Sequence, residues 1–127
     1  MAVLLAARAI EIEVKNNFIP SETINVDIMH DFSVSFTEDG EHCRATLKAG
    51  IEAKDSPETL TVRCTMIGEF SIKKIESDED KKLTHIDCYY MIFPYAQALI
   101  QRLCVDAGLP PFYMQEIEQK VENIPVR

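Results

Sequence analysis

The chain has 127 residues, a formal net charge of −8 and an apolar fraction of 46%, which suits one domain, 1–127, with a real core. That charge balance speaks against nucleic acid, whose phosphates need a Lys/Arg footprint, and against adsorption to an anionic lipid surface.

The opening Met1-Ala-Val-Leu-Leu-Ala-Ala is apolar but short. It lacks the basic start of a signal peptide and is too short to span a bilayer, so no membrane insertion and a cytoplasmic location are expected. A first strand is predicted over 8–18, with Ile10, Ile12 and Val14 on one face, before Asn16-Asn17 and Pro20-Ser21 break the pattern. A second runs over 24–36. Ile24, Val26, Ile28, Phe32, Val34 and Phe36 point one way, while Asn25, Asp27, Asp31, Ser33 and Ser35 point the other. Met29 and His30 interrupt this alternation, which predicts a bulge or bend there. Glu38-Asp39-Gly40 is a hairpin turn signal, followed by a third, Ala-rich strand over 42–53. Asp55-Ser56-Pro57-Glu58 is the next turn and leads to a fourth strand over 59–72. Gly68 falls on the apolar face of this strand and marks a kink or a close approach. Each strand is apolar on one side and polar on the other, the mark of an antiparallel sheet with one wet face. The last three strands form a meander and the first joins an edge.

Glu76 to Lys82 is a charged connection, either a solvated loop or a short helical turn capped by Ser77 with Asp78, Glu79 and Asp80 at its positive end. The main helix is expected over 93–107, with Pro94 in its first turn, where the missing N–H is no loss. Ala96, Leu99, Ile100, Leu103, Cys104 and Ala107 form its apolar stripe, Gly108 its left-handed cap and Pro110 its stop. Met114, Ile117, Val121 and Ile124 recur at helical spacing, so a short second helix over 114–123, ended by Pro125, is expected. The fold class that follows is α+β: a four-stranded antiparallel sheet, a crossover, and two helices on one face.

Chemistry-bearing residues are sparse. Cys43, Cys64, Cys88 and Cys104 show no C-x-x-C and read as reduced thiols packed as small hydrophobes, with a Cys43–Cys64 bridge between neighbouring strands as the alternative. His30, His42 and His85 lack metal-ligand spacing. Cys88, three residues after His85, is the one candidate nucleophile. The scattered glycines exclude a phosphate loop. No catalytic residue, metal or cofactor is therefore assigned, and the chain is not read as an enzyme. The aromatics are more informative. Tyr89, Tyr90, Phe93 and Tyr95 flank the expected helix start, Phe112 and Tyr113 follow its end, and Met91 and Met114 accompany them. They either pin helix to sheet or line a groove for extended apolar polypeptide.

Cys88-x-x-x-x-Phe93-Pro94-Tyr95-Ala96, a helix, then Leu109-Pro110 resembles the closing half of the SecB export chaperones. Gly68-Glu69-Phe70-Ser71-Ile72 is similar to the end of their fourth strand, and the likeness covers roughly residues 8 to 114. Tyr89-Tyr90 replaces the family's Pro-Asn, Met114-Gln115-Glu116-Ile117 departs from its following segment, and its long acidic tail is missing. Lys15, Ile19 and Arg63 stand where members that deliver clients to the SecA motor carry acidic residues, which makes SecA docking doubtful. The resemblance implies a divergent SecB-like, ATP-independent holdase for unfolded polypeptide, serving either export or a toxin–antitoxin system. It also implies a homotetramer. On this reading Phe70, Tyr89, Tyr90, Met91, Phe93, Phe112, Tyr113 and Met114 form the client groove, and Gln97 and Gln101 face a symmetry mate. The alternative is a SecB-fold scaffold or dedicated partner protein without general chaperone activity, which a groove filled by the chain's own segments would favour.

Overall fold

The structure, a computed structural model, describes residues 2–17 and 23–124. The expected strand end at Phe18, the Ile19 position and the breaks at Pro20-Ser21 and Pro125 lie outside the described residues. Four strands, β1 (Ala2–Asn16), β2 (Val26–Phe36), β3 (His42–Ala53) and β4 (Leu60–Ile72), form one antiparallel sheet in the order β1-β4-β3-β2. The helix α1 (Asp78–Asp106) covers one face of it, so the fold is α+β with a four-stranded antiparallel sheet.

The apolar opening of the chain is an edge strand. Ala2 pairs with Ile72, and the ladder runs to Asn16 opposite Leu60. Two register shifts, at Leu5 and Ile10, bulge β1 and change which face its side chains meet. Ile10, expected to share a face with Ile12 and Val14, is one of the extra residues. The interruption expected at Met29-His30 is absent: β2 pairs with β3 without a break from Val26↔Ala53 to Phe36↔Cys43. His30 stands on the apolar face opposite Ala49, because its ring finds partners there.

The main helix is about twice the expected length. It begins at Asp78, not at residue 93, and Pro94 lies in its interior. Ser77 caps the whole helix by accepting the Asp80 N–H (3.1 Å), and Asp80 reaches back to the Glu76 N–H (3.0 Å). Pro94 denies Tyr90 its helical hydrogen bond. Both residues lie on the exposed side, where solvent can take that carbonyl. The far end closes as expected, in a Schellman turn. Gly108 has φ +81°, its N–H bonds Val105 O, and the Leu109 N–H bonds Cys104 O (2.9 Å). Asn16 Nδ2 donates to Ala107 O (2.6 Å), tying that end to β1.

Helix α1 crosses the sheet diagonally, from Phe36, where Lys81 lies over the ring, to Asn16. It buries Cys88, Tyr89, Ile92, Ala96, Ile100 and Cys104 against Ala45, Leu47 and Ala49 of β3 and Val62, Cys64 and Phe70 of β4. The short alanines let it lie close to β3. At Gly68 an added Cβ would sit 3.1 Å from Ile92 Cδ1, the close approach expected there. The diagonal leaves Val26 and Ile28 at one corner, and Ile10, Ile12 and Val14 along β1, at least 39% exposed.

The second helix expected over 114–123 does not form. Residues 109–120 are neither helix nor strand, and only a 3-10 turn, Val121–Asn123, follows. The physical reason lies in the contacts of this segment with α1.

Candidate functional site

The segment after α1 turns back along the helix and is held by its main chain. Gln97 Nε2 donates to Met114 O (2.6 Å), the Ile117 N–H donates to Tyr89 Oη (2.8 Å), and the Gln119 N–H donates to Tyr90 Oη (3.0 Å). Side chains of α1 thus occupy N–H and C=O groups that a second helix would need for itself. Met114 is buried beneath this strap at 2% exposure, while Ile117 remains half exposed.

Beside the strap runs a cleft of about 990 Å³. One wall is the apolar face of β2 (Phe32, Val34, Phe36), another the first half of α1 (Lys81, His85, Tyr89), and the third the strap and its end (Ile117, Ile124). As β2 is an edge strand, the sheet stops at this wall. The aromatic lining is interlocked: Phe32 meets Tyr89 and His85 edge-on, with centroids 5.2 and 4.9 Å apart.

Tyr89 is the hinge of the arrangement. Its oxygen accepts from the Ile117 N–H and shares a hydrogen bond of 2.8 Å with His30 Nε2, whose direction is set by the imidazole tautomer. Burial raises the Tyr89 pKa. Burial also lowers His30, against the opposing pull of Asp31, and lowers His85. Both imidazoles fold as neutral rings, so their contribution to stability is complete above the ordinary value of 6.5 and is lost as pH falls through their lowered values. The melting temperature should therefore drop between about pH 7.5 and about pH 5.5 more steeply than in a His30→Gln, His85→Gln variant. Parallel curves would contradict this.

Of the eight residues expected to form a groove, the structure puts only Tyr89 on the cleft. Phe70 (1% exposed), Phe93 (3%) and Met114 (2%) are core. Tyr90, Met91 and Tyr113 lie exposed, and Phe112 packs half-buried against the core. Gln97, expected at a subunit interface, is engaged by Met114 of its own chain, and Gln101 is half-buried. The sequence reading missed the β2 wall. Its signal was the contrast between Phe32, Val34 and Phe36 and the alanines of the neighbouring strand.

All four cysteines are free and buried, and the near neighbour of Cys43 is Cys88, at 3.6 Å between sulfurs, rather than Cys64. The hydrogen bond between the two sulfurs lowers the Cys43 thiol and raises that of Cys88, and burial pushes Cys64 up to about 11. His85 packs edge-on against Phe32. On the polar face, Arg63 lies 3.2 Å from Glu13 and Lys15 3.0 Å from Glu58. No helix among the described residues is long and apolar enough to cross a membrane.

The profile of one protein family, described as preprotein translocase subunit SecB, matches residues 9–121. The chain is 27% identical over 117 residues to a protein-export protein SecB of Thiobacillus denitrificans, covering 91% of this chain and 67% of that one. It is 32% identical over 73 residues to the SecB of Bartonella quintana, covering 57% of this chain and 46% of that one. In structure it resembles a SecB-like chaperone of Mycobacterium tuberculosis, solved in complex with a ChAD peptide from an antitoxin. The TM-score is 0.69 at 14% identity, over 91% of this chain and 90% of the other.

Proposed function

The chain belongs to the SecB family, and from that premise we propose that it is an ATP-independent holdase which takes extended, unfolded polypeptide into the cleft between β2 and α1. One observation carries this: a cleft of about 990 Å³, with an apolar and aromatic stretch (Phe32, Val34, Phe36, Tyr89) set among polar and charged side chains, opens on an edge strand. Such a wall gives a client both apolar burial and main-chain groups to pair with, which suits partners of varied sequence. The mycobacterial neighbour with its antitoxin peptide supports polypeptide as the ligand class. Members of the family are chaperones rather than enzymes, which supports a binding role for this cleft.

The setting is cytoplasmic service to export or to an antitoxin. SecA is not among the proposed partners, since Lys15 and Arg63 stand at positions where docking members of the family carry acidic residues, and each is paired here with a glutamate of its own chain. A homotetramer is part of it. Val3, Leu5, Ile10 and Ile12 along the β1 edge are more than half exposed, and Met91, Tyr95 and Val105 stand out from the uncovered side of α1. These are surfaces a second copy would bury.

The test is aggregation of a chemically denatured client without nucleotide. Stoichiometric amounts of the chain should suppress it, and light scattering of the same sample should give a tetramer. Unimpeded aggregation, or a monomer at micromolar concentration, contradicts the respective claim. A dedicated partner protein without general activity is the second reading, favoured by the strap, which already fills the ground beside the cleft with the chain's own residues. Suppression for one client and none for unrelated ones would select it.

A further inference from the structure

We infer that Gln97, Tyr90 and Tyr89 form a track that reads polypeptide main chain, that residues 114–119 occupy it in cis, and that an extended client segment with an apolar anchor displaces them. This rests on the holdase reading and adds to it a second seat, outside the cleft, and a built-in competitor.

Three features of the contacts carry the inference. The three hydrogen bonds by which Gln97, Tyr89 and Tyr90 hold the strap all end on backbone atoms: Met114 O, the Ile117 N–H and the Gln119 N–H. None reads a side chain, so any polypeptide can supply the same groups. Next, the occupant is not helical. Residues 109–120 are neither helix nor strand, and the three-residue step from Met114 to Ile117 bridges side chains that leave α1 eight residues apart, roughly 12 Å of helix axis against roughly 4.5 Å for a helical step of that length. Finally, the track asks for one apolar side chain, since Met114 is buried while Ile117 is half exposed. Stretched backbone with an apolar anchor is what an unfolded client offers. The track also borders the cleft through Tyr89 and Ile117, so a client leaving the β2 wall meets the strap directly.

The strap can be weakened without touching the track. Ile117→Pro and Gln119→Pro each remove the N–H that binds a tyrosine oxygen, and both positions lie outside helix and strand. With the competitor loosened, the double variant should bind a reduced, S-carboxymethylated polypeptide, which cannot refold, about tenfold more tightly. Gln97→Ala with Tyr90→Phe loosens the strap equally but removes the client's seat, so its affinity should not rise. Equal tightening in both variants, or in neither, overturns the inference. Amide exchange on the unaltered chain gives an independent reading. Saturation with the same polypeptide should speed exchange at Ile117 and Gln119 by about tenfold or more. Unchanged exchange while fluorescence anisotropy shows the polypeptide bound overturns the track and leaves the holdase standing. No binding by the unaltered chain or the proline variant overturns both.

Discussion

Replacing Val34 and Phe36 together by serine should cost about 10- to 100-fold in affinity for an unfolded client while leaving the fold intact. Both side chains line the β2 wall and are half-buried, so each retains apolar surface for a client to cover. Complete burial of such a side chain is worth about 1.5–3 kcal/mol, and roughly half of that is available at each position, or about 1.5–3 kcal/mol for the pair. That converts to the stated loss, with about 1.4 kcal/mol per tenfold. Val34 and Phe36 also pack against the core, and Lys81 lies over the Phe36 ring at 5.8 Å, so the half that is already buried is lost from the fold as well, at about 1.5–3 kcal/mol for the pair. Titration of a labelled client should show the loss in a variant that still unfolds cooperatively, with its melting temperature lowered by about 5–10 °C. Wild-type affinity in the folded variant would move the site away from this wall.

The largest effect on stability is expected at Gly50. Its φ is +153°, and it faces Arg63 of β4 in the sheet register. A Cβ there would collide with the carbonyl oxygen of Val62 and lie 2.6 Å from Arg63 Cα. Both are backbone of the central ladder, so no side chain can rotate away and the strands themselves must part. Gly50→Ala combines an unfavourable backbone conformation with overpacking and should cost about 3 kcal/mol or more. Gly68 is the useful contrast. Its added Cβ would meet the far ends of Phe70 (2.8 Å), Ile92 (3.1 Å) and Leu4 (3.3 Å), which can give way. Gly68→Ala should cost about 1–2 kcal/mol. Urea denaturation of the two variants measures both, and a Gly50 variant less perturbed than the Gly68 variant would contradict the account.

These two glycines show what could be read beforehand. Gly68 broke the apolar face of a strand, and that break was visible as a close approach. Gly50 follows Ala49 in an unremarkable alternation, and its conflict arises only when β4 is laid beside it. The strands were legible because period two is a strong pattern wherever one face is covered. The bulges in β1 were not, since an extra residue such as Ile10 looks like ordinary alternation until its partner strand is known. Pro94 misled most. Its preference for a first helical turn is real, yet on the exposed side of a helix packed along its other face it is tolerated mid-length. Starting the helix at residue 93 placed Tyr89, Tyr90 and Met91 on a loose crossover, where they looked like a groove. With the helix begun at Asp78, Cys88, Tyr89, Ile92 and Phe93 fall on its buried face, and the open wall passes to β2. The strap was hidden for a related reason. Its helical spacing of Met114, Ile117 and Val121 is genuine, but Gln97, Tyr89 and Tyr90 claim the backbone groups first.

A photoreactive side chain placed at Val34, on the cleft wall, and in a second variant at Asp27, on the opposite face of the same strand, tests the central claim most directly. Irradiated with an unfolded polypeptide bound, the chain should crosslink to it from Val34 and not from Asp27. Crosslinks from Asp27 alone, or from neither position with the polypeptide demonstrably bound, would place client binding elsewhere on the molecule.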